Sequence, residues 1–192
     1  MDGKKDIKVY YLLLSEGTTE FNLFAYLTKV RFRELFASSS IQFSINVEII
    51  NKNGEQIVFQ GKLDGVSDIA HFKSKYSLIK TKYVDQMLFF LLDKDIADSS
   101  AIGALIMQGG DIVQFMEHSS EHLLLRLAGK NPKNPSDFTT LKEFRDYCKV
   151  EFVTKFGKYA HKFKDADFEL IFNIPTEDEV RASFRELFST LE

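Results

Sequence analysis

Three acidic residues stand where an apolar run stops: Glu16 after VYYLLLS, and Asp93 and Asp95 at the end of MLFFLLDKD. In an open parallel sheet, ligands gather beyond the carboxyl ends of the strands. If the two runs are neighbouring strands, the three carboxylates converge on one edge. Like charges crowded together oppose one another's ionisation and call for a cation. Mg²⁺, or Mn²⁺ in its place, suits such a set, because it takes oxygen ligands and commonly uses one or two carboxylates with phosphate and water. Gly17 lets a backbone or ligand approach closely, and the amides of Thr18 and Thr19, at the start of a helix, favour an anion. A cation beside an anion-binding helix start is equipment for phosphate chemistry.

The elements that must position these groups can be read from the apolar pattern. Residues 7–14 form a short run suited to a strand covered on both faces. Thr18 or Thr19 caps the helix that follows, with Leu23, Leu27 and Val30 on one face, reaching to about Phe36. Residues 40–50 alternate and predict a second strand. Residues 51–68 hold Asn53-Gly54, Gly61 and Asp64-Gly65, a turn-rich stretch with a short hairpin. Asp68 caps a helix over 69–82, and 86–92 is the central strand. Another helix, the Gly109-Gly110-Asp111 turn and a strand over 112–116 follow. Ser119 or Ser120 then caps a Leu-rich helix that stops at Gly129. Strands alternating with helices predict an α/β fold, Rossmann-like, with a parallel-type central sheet of about four strands flanked by helices.

Residues 1–128 make up this core. Residues 129–192 form a mostly helical extension packed on the same domain, entered through the Pro-containing linker NPKNPSDF. Within it, 139–158 reads as helix and 168–174 as strand. Thr176 caps a last helix, with Glu179 completing a capping box.

At 192 residues with 44% hydrophobic and 28% charged content, the chain has the balance of a soluble globular protein. The single Cys148 excludes an internal disulfide and a Cys-based zinc centre, and it suits a reducing, cytoplasmic setting. Met1 to Lys8 is short and charged and is followed by too few apolar residues for an export signal or a membrane span. The net charge of −3 is uneven, because Gly129–Lys164 carries nine Lys/Arg against four Asp/Glu. Such a segment serves as a phosphate-facing surface or as a solvated helix face.

The two acidic motifs together, SEGTTE with Glu16, Gly17 and Glu20, and LLDKD with Asp93 and Asp95, resemble the TOPRIM domain. That domain is shared by type IA and type II topoisomerases, bacterial primases, OLD-family nucleases and small RloB-like proteins. The spacing and the later EHSSEHLLLRL are most similar to the RloB-like group. Glu121 stands at that group's glutamate, without the Asn-Pro, Phe and Trp of its pattern. The resemblance spans about residues 8–127. It implies a Mg²⁺-dependent nuclease acting on DNA or RNA, in phage or stress defence. Glu16 would be general acid/base or metal ligand, Asp93 and Asp95 would hold the metal, and Glu20 would be a second-metal or supporting ligand. Lys94 would meet a phosphate.

Other readings compete. Glu16-Gly17 is also ordinary turn chemistry, and Asp93 or Asp98 can simply cap a helix. A non-catalytic module of the same fold would bind a protein partner or a second copy of the chain. HSSEH, residues 118–122, matches the His-x-x-Glu-His zinc-hydrolase pattern. The Ser caps leave His118 outside the helix, so a second use is more natural: His118, Glu121 or His122 lining the acidic site. Lys142, Arg145, Lys149 and Lys158, interleaved with Phe and Tyr, are nucleic-acid contacts or the outer face of an amphipathic helix.

Overall fold

The computed structural model describes residues 8–51, 53–94, 96 and 98–192. Its centre is the pair of apolar runs, Val9–Ser15 (β1) and Met87–Asp93 (β5), lying parallel with Leu13 opposite Phe89 and Ser15 opposite Leu91. Ile41–Ser44 (β2) flanks β1 and Ile112–Met116 (β6) flanks β5, giving a four-stranded, all-parallel sheet in the order β2-β1-β5-β6. Asn46–Ile50 (β3) and Gln56–Gln60 (β4) make a separate antiparallel hairpin.

Both faces of the sheet are covered, so β1 and β5 are apolar at every inner position and not alternating. Tyr11, Leu13, Phe89 and Leu91 point into one layer with Thr18–Tyr26 (α1), Ser120–Leu127 (α5) and Asp165–Phe172 (α7). Leu12, Leu14, Leu88, Phe90 and Leu92 point into the other, against the hairpin, Ile69–Lys82 (α3) and Ser99–Gln108 (α4). Each large side chain so buried contributes roughly 1.5–3 kcal/mol. The two strands that present the acids are therefore buried on both faces. Leu141–Phe156 (α6), Glu177–Ser183 (α8) and Arg185–Ser189 (α9) complete a helical C-terminal region, whose Phe152, Val180 and Phe188 share the first layer with Leu13.

Four local expectations are corrected. The alternating stretch 40–50 is two strands in two sheets. Ile41, Phe43 and Ile45 pack on the first layer, whereas Val47 and Ile49 belong to the second. One strand cannot send residues of the same parity to opposite faces, so the chain breaks after Ser44. The stretch 168–174 is helical: Phe168, Ile171 and Phe172 are buried at helical spacing and Leu170, between them, is 73% exposed. The first helix runs through a π turn at Leu27–Arg31 before Arg33–Ser38 (α2), and the extra residue per turn swings Val30 out of the Leu23–Leu27 face to 45% exposure. The last helix is two, α8 and α9, divided at Phe184.

The capping chemistry of residues 176–179 is as read, with Thr176 Oγ1 accepting from the Glu179 amide and Glu179 Oε2 from the Thr176 amide. α9 takes its cap from elsewhere. The amides of Glu186 and Leu187 donate to Gln114 Oε1, at 2.9 and 3.4 Å, from the edge strand β6. Among the described residues no helix is long and apolar enough to cross a membrane.

Candidate functional site at the carboxyl edge of the sheet

Glu16 follows the last residue of β1, and Asp93 is the last residue of β5. The Glu16 amide donates to the Leu91 carbonyl at 2.9 Å, and the Asp93 amide donates to Glu16 Oε2 at 3.1 Å. The end of each strand thus fixes the acid at the end of the other. On its outer side β1 changes neighbour. β2 pairs with it only as far as Leu12, and residues 61–65 then take the vacated place. Ser15 donates its amide to the Gly61 carbonyl at 2.7 Å and accepts from the Leu63 amide at 2.7 Å, while Glu16 O accepts from the Gly65 amide at 3.0 Å. The Ser15 hydroxyl adds a further bond to Gly61 O at 2.6 Å. Lys75 holds this segment from α3 by donating to the Leu63 and Gly65 carbonyls, and burial lowers its pKa.

The cap of α1 differs from expectation. Gly17, not a threonine, is the capping residue, and Glu20 reaches back one turn to accept from the Gly17 amide at 2.8 Å. Gly17 is extended there, so its value is space: a Cβ would stand 3.2 Å from Glu20 Oε2. Thr18 and Thr19 lie within the first turn.

Ser120 joins the acids. It opens α5, after Ser119, whose hydroxyl accepts the His122 amide. Its amide donates to Asp93 Oδ1 at 2.9 Å, and its hydroxyl lies 2.8 Å from the same oxygen and 2.5 Å from Glu20 Oε1. Glu16, Glu20 and Asp93 are therefore drawn to one edge, through residues from three segments far apart in sequence. A hydroxyl has a single hydrogen. It can serve one of the two carboxylates at a time.

Asp95 lies outside the described residues. Among those described, no three or more His, Cys, Asp or Glu side chains are grouped to hold a metal ion. Glu16 and Asp93 match the one or two carboxylates that Mg²⁺ ordinarily takes. Glu20 accepts from Gly17 on one oxygen and meets Ser120 on the other, and Ser120 links it to Asp93. Asp93 also caps α5, a helix end that favours a carboxylate.

A cleft of about 780 Å³ opens beside this edge, between β6 and α8, lined among others by Lys94, His118, Arg126 and Ile174. Arg126 pairs there with Glu117 at 2.5 Å. His118 lies outside α5, as the caps imply, with its backbone in the left-handed region at φ 65°. Its ring meets that of His122 at 4.8 Å between centroids, and Phe144 of α6 covers both. His122 is 2% exposed and neither ring nitrogen has a hydrogen-bond partner. Burial lowers the pKa of both imidazoles. An unmet buried polar group costs about 1–3 kcal/mol. Glu121 stands in the first turn of α5.

Lys142, Arg145 and Lys149 are exposed along one flank of α6, beside the buried stripe of Phe144, Cys148 and Phe152. Lys158 is committed to Asp167 at 2.5 Å, which holds that carboxylate below its usual range. Ser120 and Gln114 were missed from sequence. Ser120 reads as a local helix cap and Gln114 as an edge-strand polar residue. Comparison with protein-family models, with curated proteins and with solved structures returns no match.

Proposed function

We propose that this chain is a TOPRIM-like, Mg²⁺-dependent phosphodiesterase acting on nucleic acid in the cytoplasm. The observation that supports this reading is the linkage of three acids at the carboxyl ends of the two central strands: Glu20 and Asp93 meet on Ser120, and Glu16 accepts from the Asp93 amide. Mg²⁺, or Mn²⁺, when bound would polarise a phosphodiester and lower the pKa of a water. Glu16 and Asp93 would hold it, with Asp95 the further ligand implied by the motif. Glu20 and Ser120 hold Asp93 in place, and the strand-end amides keep Glu16 against it. Lys94, exposed at the mouth of the cleft, would meet a phosphate, and the outer face of α6, with Lys142, Arg145 and Lys149, would carry flanking nucleic acid.

A second reading rests on Glu20. Its two oxygens already serve Gly17 and Ser120, an arrangement that a structural hub would also need. On that reading the chain is a binding module, and the acids only join α1, β5 and α5.

Calorimetric titration with Mg²⁺ and Mn²⁺, beside cleavage of labelled single- and double-stranded DNA and RNA, separates the two. The enzyme reading expects cation binding and cleavage that both vanish in Asp93→Asn and Glu16→Gln proteins of unchanged circular dichroism. Unaltered binding in those variants, or cleavage that survives them, would overturn it in favour of the module.

A further inference from the structure

We propose that His118 and His122 form a two-imidazole site for a late first-row divalent cation, Zn²⁺ being the reference case, opening on the cleft beside β6. The rings approach to 4.8 Å between centroids at 78°. Two imidazoles sharing one tetrahedral ion, with Zn–N distances near 2.0–2.1 Å, place their centroids about 5 Å apart. The centroid separation is thus close to the one that such a pair requires.

His122 supplies the second observation. It is 2% exposed, and both of its ring nitrogens lack a hydrogen-bond partner, whereas a buried imidazole ordinarily has its donor and its lone pair met. Ligation would satisfy the lone pair. The Glu117 carbonyl acts on the same ring without reaching hydrogen-bond geometry. A carbonyl behind a ligating histidine is the usual way its ring is oriented.

Burial, with Lys94 and Arg126 acting on His118 and with His118 and Arg126 acting on His122, favours the neutral form of both rings, while Glu117 acts in the opposite sense. Neutral rings are the ligating form. Phe144 closes the far side and Ser119 fixes the helix start between the rings. Among the described residues no third His, Cys, Asp or Glu completes the set. The remaining positions then belong to water or to a donor from the cleft, which His118 lines. Imidazole donors select Zn²⁺, Ni²⁺ or Cu²⁺, whereas the oxygen donors of Glu16 and Asp93 select Mg²⁺ or Mn²⁺, so the two sites separate by metal chemistry.

The test is a Zn²⁺ titration of the full chain followed by the histidine ring signals in ¹H–¹⁵N NMR. The chain has four histidines, and His71 and His161 serve as internal controls. The signals of His118 and His122 should move together and saturate at one equivalent, with those of His71 and His161 unmoved. The response should be absent in His118→Ala and in His122→Phe, which keeps an aromatic ring in the buried position, and unchanged in Asp93→Asn. Equal responses from all four rings, silence from His118 and His122, or loss of the response in Asp93→Asn would each overturn the proposal. Should His122→Phe not fold, the wild-type titration and His118→Ala decide the matter alone.

Discussion

Asp111 and Glu20 are buried to the same degree, each 5% exposed, at opposite edges of one sheet. Asp111, at the amino end of β6, accepts from the Tyr76 hydroxyl at 2.7 Å, the Leu88 amide at 2.9 Å and the Lys80 ammonium at 3.1 Å. Its charge is matched by a cation and by two further donors, and it raises the pKa of Tyr76 after the larger effect of burial. Glu20, at the carboxyl edge, has the Gly17 amide and a Ser120 hydroxyl that it shares with a second carboxylate. The first arrangement is complete as it stands. The second brings two carboxylates to one serine hydroxyl.

The comparison is broken or sharpened by mutation, beginning where the effect is largest. Asp111→Ala takes the carboxylate from the mostly covered Lys80 ammonium, which keeps the Gln86 carbonyl at 3.4 Å, and from the Tyr76 hydroxyl and the Leu88 amide. Removing one partner of a buried ion pair costs about 3–5 kcal/mol, and urea denaturation should register a loss of that order. Glu20→Ala leaves the Gly17 amide unmet while the Ser120 hydroxyl keeps Asp93, a smaller loss of about 1–3 kcal/mol by the same measurement. If Glu20→Ala proves the more damaging of the two, the contrast between the edges fails.

A third prediction concerns pH. The folded-state pKa values of His118 and His122 lie below the ordinary imidazole value, so the unfolded chain binds protons first as pH falls. The stability that this supplies is whole above about pH 6.5 and is lost as pH drops below it. Asp167 and Glu179, also lowered, lose their contribution only in the carboxylate range near pH 4. A melting temperature that falls between pH 7 and pH 5 in the wild type, and falls less in His122→Phe, where His118 alone remains, is expected. The smallest effect on stability should come from Asp93→Asn. Asparagine keeps an oxygen for the Ser120 amide and hydroxyl, so the change should stay within about 1 kcal/mol. That same variant should lose Mn²⁺ binding altogether.

Glu16 and Asp93 were legible in sequence because an apolar strand that ends in an acid announces both the strand and its edge. Their adjacency was not, since nothing local says that β1 and β5 pair. Ser120 shows the limit more sharply. Its hydroxyl is 100 positions from Glu20, and the nearest explanation for a serine before a Leu-rich helix is a cap. Gln114 and Asp111 were opaque for the same reason: each answers a demand made by a distant helix or strand. The reading of 168–174 as strand failed differently, because a short apolar run fits two periods until its partners are known. The parallel sheet with flanking helices was legible, since it follows from the alternation of strand and helix patterns, which no single contact can overturn.

The place handed from β2 to residues 61–65 has a consequence for how the chain tolerates change in length. The turn joining β3 to β4 is held by Asn51 and Glu55, and its Gly54 has open space around it. Extra residues there would only lengthen an exposed loop. A few positions later the chain is counted residue by residue: Gly61, Leu63 and Gly65 each meet a chosen atom of Ser15 or Glu16, and a Cβ on Gly61 would collide with Phe21. One insertion in that stretch would throw its pattern out of step and deliver the error to Glu16. Two neighbouring loops thus differ sharply in their freedom, and relatives of this chain should vary in length at the first and keep strict count at the second.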